Sequence, residues 1–546
     1  MIRLRYIVLR LQEENLLQPK LLPALIPIGD FACNNHLVLT ELLFNKMKRN
    51  IFFLIAASAV VIALLMAGFV FLPAFKITAN KETTVKATGQ SIAVLPFVNM
   101  SNEPNQEYFS DGLAEGILNS IARLKGLKVC ARTSSFKFRG KDVDIREAGK
   151  KLDVNTILEG SVQQHENKVR VTVQLINVAD GFHFWSEQYD ENIDDVFAIQ
   201  NKIAEAIAGK LAITFKPGHL PAVTNTTINK NAYDLYLKGR SAWNLGTPAE
   251  IKKAIGYFED AIAIDPLFAR AYSGVADCYN TLGYGSLLAP GDAFPKAKKA
   301  AIMALALDST LAEPHASLGF YNFYYEWDWA AAEEEFRRAI ALNENYELGY
   351  KWYGYYLTAM KRYDEANIVL NKAIELDPLS VPINTDIGFS LYYKGDYDEA
   401  IKKLKVAVQM NPKYALAHLW LGRSYQAKKL YAEAIAEYNT ALDITPGWPV
   451  GYAQVGNAYG VSGDNANGEI ILDTLNVLAT KKFVTAYGVA LVYAGLDNKD
   501  RAFAWLNKAY EERSNWLVWL RTDPRWTTIR NDKRFAKLVN DVGLPE

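Results

Sequence analysis

The chain has 546 residues, with 60 basic against 60 acidic side chains, a formal net charge of +0 and 50% hydrophobic residues. That length allows several domains, and the balanced charge excludes a global electrostatic pull toward nucleic acid or an anionic surface. Cys33, Cys130 and Cys278 fall in three separate segments, which excludes a disulfide framework and leaves no pair at metal-ligand spacing.

Residues 1–46 carry short apolar stretches but no domain-sized pattern. They are expected to form a cytoplasmic tail, or an extension ahead of a true start at Met47. Cys33 lacks the small and aliphatic neighbours of a lipidation box. Ile51 to Leu72 contains no charged residue; at the helical rise it would span roughly 33 Å, enough to cross a bilayer core. Lys46, Lys48 and Arg49 precede it, which places the N-terminus in the cytoplasm. The competing reading is a cleaved signal peptide beginning at Met47. Its apolar region would be unusually long, and Ile77-Thr78-Ala79 matches a cleavage site poorly. An uncleaved anchor over 47–73 is therefore expected, followed by a linker over 74–90; either way residues 74–546 lie across the membrane.

A mixed domain is expected over 91–215. Ser91–Val98 is apolar almost throughout and reads as a buried strand. Ser110-Asp111-Gly112 is expected to open a helix carrying Leu113, Ile117, Ile121 and Leu124 on one face. Leu127–Ala131 reads as a strand, Ile145–Leu152 as a short helix, then Thr156–Val162, Val169–Val178 and Phe182–Tyr189 as a meander, and Asp194–Leu211 as a closing helix. Alternation followed by a meander predicts a mixed sheet with helices on it.

The segments IAVLPF (92–97), YFSDGLAEGI (108–117), VCARTSSFKFRGK (129–141), ILEGSVQQ (157–164), VRVTVQLINVADGFHFWSEQYD (169–190) and VFAIQNKIA (196–204) occur in this order. Together they resemble the N-terminal domain of the TolB family, as found in bacterial proteins that couple it to tetratricopeptide repeats. The resemblance implies a bacterial protein, so the anchor over 51–72 is expected to cross an inner membrane once and to place most of the chain in the periplasm. In relatives the pair often follows a winged-helix DNA-binding region, as in CadC-like regulators, or a class III adenylate cyclase domain. Neither fits within 46 residues, so the output module is expected to be absent.

Several residues of this domain invite chemistry. Asp111-Gly112 could cradle an anion at a helix start, although a helix cap explains it more simply. Arg132, Ser134, Lys137 and Arg139 form a basic, hydroxyl-rich loop that could hold an anionic ligand or simply face solvent. Glu159-Gly160-Ser161 lacks the second glycine of a nucleophile elbow. His165 and His183 have no partner at metal-ligand spacing, and Phe182, Phe184 and Trp185 read most simply as packing, with a ligand-stacking face as the alternative. Phosphate-loop, kinase and cyclase metal-site patterns are missing. No enzymatic activity, metal or cofactor is expected.

After a linker over 216–229, a period of 34 residues governs the chain. Gly354, Gly388, Gly422 and Gly456 keep it, as do Pro378, Pro412 and Pro446, and the alanines at 366, 400 and 434 and at 373, 407 and 441. In 381–414 the first helix places Ile387, Gly388 and Leu391 on one face and the second places Ala400, Leu404 and Ala407. Lys394-Gly395-Asp396 separates the two, and Asn411-Pro412 ends the second. Neither helix can bury its face alone, so neighbouring units must stack. The pattern resembles the tetratricopeptide repeat and fits 347–380, 381–414 and 415–448 without a gap. About eight units are expected over 230–516. A long loop near 283–295 and one extra residue in the Gly319 unit interrupt them, and 517–546 is a terminal cap with Phe535, Leu538 and Val539 as its apolar stripe. The fold class is thus α+β multidomain: one transmembrane helix, a mixed α/β domain and an all-α solenoid.

The repeat resemblance implies a concave groove lined by Lys351, Tyr355, Thr385, Phe389, Tyr392, Tyr393, Leu419, Arg423, Gln426 and Asn457. Aromatic rings beside Lys, Arg and Gln suit an extended peptide. The expected role is a non-enzymatic, membrane-anchored scaffold or sensor that binds protein partners in this groove and no nucleic acid. The alternatives are a signalling regulator without its output module and a small-ligand sensor using the 132–141 loop. Arg423→Glu with Phe389→Ala is expected to weaken partner capture without unfolding the array.

Overall fold

The computed structural model describes residues 90–101, 107–140, 144–192, 196–211 and 229–545. The apolar run Ile51–Leu72 lies outside them, and among the described residues no helix is long and apolar enough to cross a membrane. The described chain is mostly helical, with one α/β region followed by a helical array.

The sheet comprises β1 (Gln90–Val94), β2 (Val98–Asn99), β3 (Leu127–Val129), β4 (Thr156–His165), β5 (Lys168–Asn177) and β6 (His183–Asn192). Its order is β3-β1-β4-β5-β6, with β2 paired to β4. The β3, β1 and β4 strands run parallel, while β4, β5 and β6 form the antiparallel meander. Side-chain alternation sends Ile92 and Val94 to one face, where they pack with Leu113, Ile117 and Ile121 of α1 (Glu107–Ile121). Ala93 and Leu95 face the other way, toward the short α2 (Arg132–Ser135) and α3 (Ile145–Leu152), with Ala148 and Leu152 in their core. A fourth helix, α4 (Val196–Lys210), lies beside α1, both contributing to the first core.

Three expectations for this region need correction. The strand read as Ser91–Val98 is two pieces, β1 and β2. The first helix starts at Glu107, so Asp111 and Gly112 lie inside it and form neither cap nor anion cradle. Phe182 and Phe184 are exposed at 73% and 50%, and only Trp185 of that trio is packed.

Sixteen helices pair as eight hairpins: α5 (Lys230–Leu245) with α6 (Pro248–Ile264), α7 (Ala269–Tyr284) with α8 (Pro290–Leu307), α9 (Glu313–Tyr321) with α10 (Trp329–Leu342), and α11 (Glu347–Ala359) with α12 (Tyr363–Leu376). The series continues with α13 (Val381–Lys394) and α14 (Tyr397–Met410), α15 (Ala415–Ala427) and α16 (Tyr431–Ile444), α17 (Pro449–Ser462) and α18 (Asn465–Ala479), and α19 (Ala486–Gly495) and α20 (Lys499–Glu511). The recurring glycine has a steric cause. A Cβ at Gly354 would stand 2.6 Å from Leu370, and one at Gly388 only 2.4 Å from Leu404. The large residue of the second helix thus packs straight onto the first helix's backbone, and any side chain there would force the pair apart.

Irregular units keep the stacking by local adjustment. The expected long loop near 283–295 is short, because α7 runs to Tyr284 and α8 begins at Pro290, with Pro295 inside that helix. The extra residue after Gly319 is absorbed by a π-helical turn over Asn322–Glu326, which widens one turn by one residue. Beyond α20 come two 3₁₀ turns, Asn515–Trp519 and Pro524–Trp526, and a last helix, α21 (Lys533–Asp541). This tail does more than cover the final hairpin: it folds back into the inner face of the array.

Candidate binding surface on the inner face of the array

The first helices of consecutive hairpins supply the inner face, and two pieces of the same chain occupy it. The tail fills one part with aromatic rings. Trp519 stacks on Tyr393 at 4.5 Å between centroids and meets Phe389 edge-on at 5.0 Å. Trp516 stacks on Tyr284 at 6.2 Å, donates from Nε1 to Ser286 Oγ at 3.0 Å, and lies 5.1 Å from the guanidinium of Arg423. Asn515 Nδ2 donates to the Tyr284 carbonyl at 3.1 Å, and Trp329 Nε1 to the Gly543 carbonyl at 2.6 Å. The tail therefore touches both early and late hairpins.

Under these rings lies a fully buried polar knot. Asp523 accepts from Arg525 Nε at 2.8 Å and from the Tyr487 hydroxyl at 2.9 Å, and Trp526 Nε1 donates to that hydroxyl at 2.9 Å. Burial would push the Asp523 carboxyl up, but the Arg525 charge outweighs it and holds the group below its ordinary value. Gln454 accepts from Arg423 Nε at 3.0 Å and also from Arg525. Gln426 donates to Asn457 at 2.6 Å, and Asn457 to the Leu491 carbonyl at 2.7 Å.

Phe389, Tyr392, Tyr393, Leu419, Arg423, Gln426 and Asn457 are consequently buried. In this conformation they present no surface to a peptide. Phe389, Tyr393 and Arg423 pack against the tail, while Gln426 and Asn457 bond each other and neighbouring helices. The pair Arg423→Glu with Phe389→Ala, expected to weaken partner capture without unfolding the array, falls on two residues that are 1% exposed.

The α/β domain occupies a second part. Asn345, in the turn between α10 and α11, meets the free edge of β3. Its Oδ1 accepts from Val129 N at 2.9 Å, and its Nδ2 donates to the Ala122 and Leu127 carbonyls at 2.9 and 2.8 Å. Gly126 N donates to Glu344 Oε1 at 2.7 Å, and Ala131 N to the Leu376 carbonyl at 2.8 Å. These bonds satisfy edge groups that would otherwise invite another strand. Leu237 and Tyr233 of α5 join the sheet's own core, so domain and array share apolar packing as well.

The basic loop belongs to this contact. Ser134 Oγ hydrogen-bonds Asp377 and accepts from Leu379 N at 2.8 Å, while Lys137 bonds the Leu379 carbonyl. Arg132 pairs with Glu115 at 2.8 Å, and Arg139 with Asp111. Arg240 of α5 reaches the same Glu115 at 3.0 Å. Burial opposes ionisation of Glu115, yet Arg240 and Arg132 together hold its carboxyl below the ordinary range. The loop is therefore a clamp between domain and array rather than an exposed anion cradle.

Between the two occupied parts a chamber of about 380 Å³ remains, lined by Lys351, Tyr355 and Thr385 from the expected groove set and by Asp386, Tyr414 and Trp420. Lys351 pairs with Asp386 at 3.4 Å and stands 5.8 Å from the Tyr355 ring. Burial pushes the Asp386 carboxyl up against the pull of Lys351. Glu347 is pushed up to about 7 by burial and by Asp377 nearby. The chamber thus offers rings, one lysine and several carboxylates. Among the described residues no group of three or more His, Cys, Asp or Glu is arranged to hold a metal, and Cys130 and Cys278 are buried free thiols.

Sequence reasoning missed Glu344 and Asn345, although a signal was present. Position 344 is one period before Pro378, and the glutamate there breaks the proline series.

Family models for the tetratricopeptide repeat match residues 350–378 and 385–449. The array is built of tetratricopeptide repeats. A model described as the second domain of HilA/YgeH-like transcriptional regulators matches residues 88–206. Putative adenylate cyclase 3 of Rhizobium meliloti is 36% identical over 187 residues, covering 34% of this chain and 32% of that protein. The transcriptional regulator HilA of Salmonella typhimurium is 24% identical over 316 residues, covering 56% of this chain and 55% of that protein. The chain thus spans about a third and about half of these two relatives. Among solved structures, PilF of Pseudomonas aeruginosa aligns at 21% identity over 39% of this chain and 95% of its own, with a TM-score of 0.29.

Proposed function

We propose that this chain is a non-catalytic signalling module that binds a partner polypeptide through its repeats and reports the binding through its α/β domain. The observation that carries this reading is the chamber of about 380 Å³ lined by Lys351, Tyr355 and Thr385, a hollow bounded by both the array and the α/β domain. An occupant there touches Arg132 and Thr133 on one side and Tyr355 and Trp420 on the other, so binding and domain contact are coupled. The matches to parts of a transcriptional regulator and of a putative adenylate cyclase support a regulatory role.

In this proposal the α/β domain is TolB-N-like, residues 51–72 anchor the chain in a bacterial inner membrane, and the modules lie in the periplasm. The composition of Ile51–Leu72 and the ordered motifs of 92–204 support that placement. Lys351→Glu and Tyr355→Ala test the site, since both side chains border the chamber. Each should weaken capture of a cognate partner about tenfold or more, and Tyr355→Ala, at a ring 3% exposed and packed on Tyr284 and Phe389, should also lower the melting temperature. Undiminished capture by both variants would sink the assignment.

A further inference from the structure

The most exposed rings of the α/β domain lie at the end of the sheet where the chain enters it. Phe182 and Phe184 are 73% and 50% exposed and stand two positions apart at the start of β6. In extended backbone that spacing turns both side chains to one side. The strand register fixes which end of the sheet they occupy. Ile92 pairs with Thr156 and Thr156 with Asn177, and the Asn177 amide donates to the Phe182 carbonyl at 3.0 Å. Through β4 and β5, β6 runs parallel to β1. Phe182 is therefore level with the beginning of β1, about 14 Å away across three strand spacings.

Charge does not account for this tip. Residues 177–184 carry one formal charge, Asp180, whose Oδ1 accepts from the Phe182 amide at 2.9 Å. On the neighbouring α3, Arg146 pairs with Asp144 and Lys151 with Glu147, both at 2.6 Å. Lys128 of β3 pairs with Asp153, also at 2.6 Å. No basic cluster is left over to attract an anionic surface, and the rings are the tip's distinctive feature. Residues 73–89 separate β1 from the uncharged run Ile51–Leu72, a reach of at most about 60 Å even fully extended. Where that run anchors the chain, as proposed above, the end of the sheet that carries Gln90 and the rings is the end nearest its tether.

We infer that Phe182 and Phe184 insert into the headgroup–acyl boundary of the bilayer, so that the α/β domain rests on the membrane by this end of its sheet. The inference rests on the proposed anchor and adds a second contact to it. Apolar rings gain by leaving water for that boundary. The tether makes the step intramolecular, so two rings suffice where they would not hold a free domain. The β6 strand is the sheet edge opposite β3, so insertion leaves the bonds to Glu344 and Asn345 intact. No residue lining the larger chamber belongs to β6 or its turn, and partner capture there stays independent.

The test uses the full chain in phosphatidylcholine vesicles, with Cys33→Ser leaving only the buried Cys130 and Cys278. A nitroxide is attached through Ala179→Cys beside the rings, or through Lys168→Cys at the far end of the sheet. Its collisions with dissolved oxygen and with a water-soluble nickel chelate are then compared. The oxygen-to-nickel ratio should be severalfold higher at 179 than at 168, and indifferent to added salt. Phe184→Ser should lower the inserted-to-free ratio about tenfold. Phe182→Ser with Phe184→Ser should bring the collision ratio at 179 down to that at 168. Both variants should fold, since each ring is exposed.

A carbonate wash separates the two ways of failing. Removal of the chain from the vesicles refutes the anchor and this contact with it. Retention of the chain with equal ratios at 179 and 168 overturns the contact alone. So does a high ratio at 179 that the double serine variant leaves unchanged. Spin–spin broadening at 179 also overturns it, by marking a second copy of the chain as the occupant.

Discussion

The tail and the α/β domain cover neighbouring parts of one surface by opposite means. The tail side is aromatic, and its buried ion pair, Asp523 with Arg525, takes further hydrogen bonds from the Tyr487 hydroxyl and the Arg525 backbone. The α/β side is polar and hollow, with two cavities and carboxylates raised by burial. Packing of the first kind builds permanent structure, because every group removed leaves a void or a stranded charge. The second kind keeps open volume beside carboxylates that burial has raised, and an occupant or a change of protonation can shift its equilibrium.

That contrast can be broken most forcefully on the tail side. Trp519→Ala should cost about 3–5 kcal/mol by opening a cavity beneath Tyr393 and Phe389, and Asp523→Asn a similar amount, about 3–5 kcal/mol, by stranding Arg525. Chemical denaturation measures both, and losses below about 1 kcal/mol would show the tail to be an ornament. A smaller effect is expected at the domain edge. Asn345→Ala removes three hydrogen bonds to β3 and its flanks and should cost about 2–3 kcal/mol. Limited proteolysis should then separate the α/β domain from the array before either unit melts.

The pH dependence sharpens the comparison with the mildest effect. Glu347 and Asp277 rise from ordinary values of 4.5 and 3.8 to about 7 on folding. The folded state therefore binds more protons than the unfolded state between those values. Their stabilising contribution is complete below about pH 4 and is lost as the pH rises through 7. The α/β contact should be tighter at pH 5.5 than at pH 8, by on the order of 1–2 kcal/mol. Glu347→Gln should flatten the profile; an unchanged slope, followed by thermal melting across that range, would remove Glu347 from it.

The repeats were legible because their cause is local. Gly388 must be small opposite Leu404, and the same demand recurs every 34 residues. The sheet was legible for a similar reason, since the alternation along Val169–Val178 already separates core from solvent. What the pattern could not show is which distant segment meets which. Phe389 and Trp519 are 130 positions apart, and rings suited to a peptide look the same as rings suited to the chain's own tail. The basic loop misled in the same way: Ser134 and Lys137 find their partners around Asp377 and Leu379, in another domain. At Glu344-Asn345 the broken proline series marked the position, but a turn's composition says little about which segment it contacts.

Hydrogen exchange of the full chain tests the closed inner face most directly. The peptides covering 384–394 and 418–427 should exchange as slowly as the second helices of the same hairpins, with opening free energies close to that of global unfolding. Removal of residues 513–546 should abolish that protection. Fast exchange of these inner helices in the intact chain, at rates matching the shortened one, would contradict an inner face closed by its own tail.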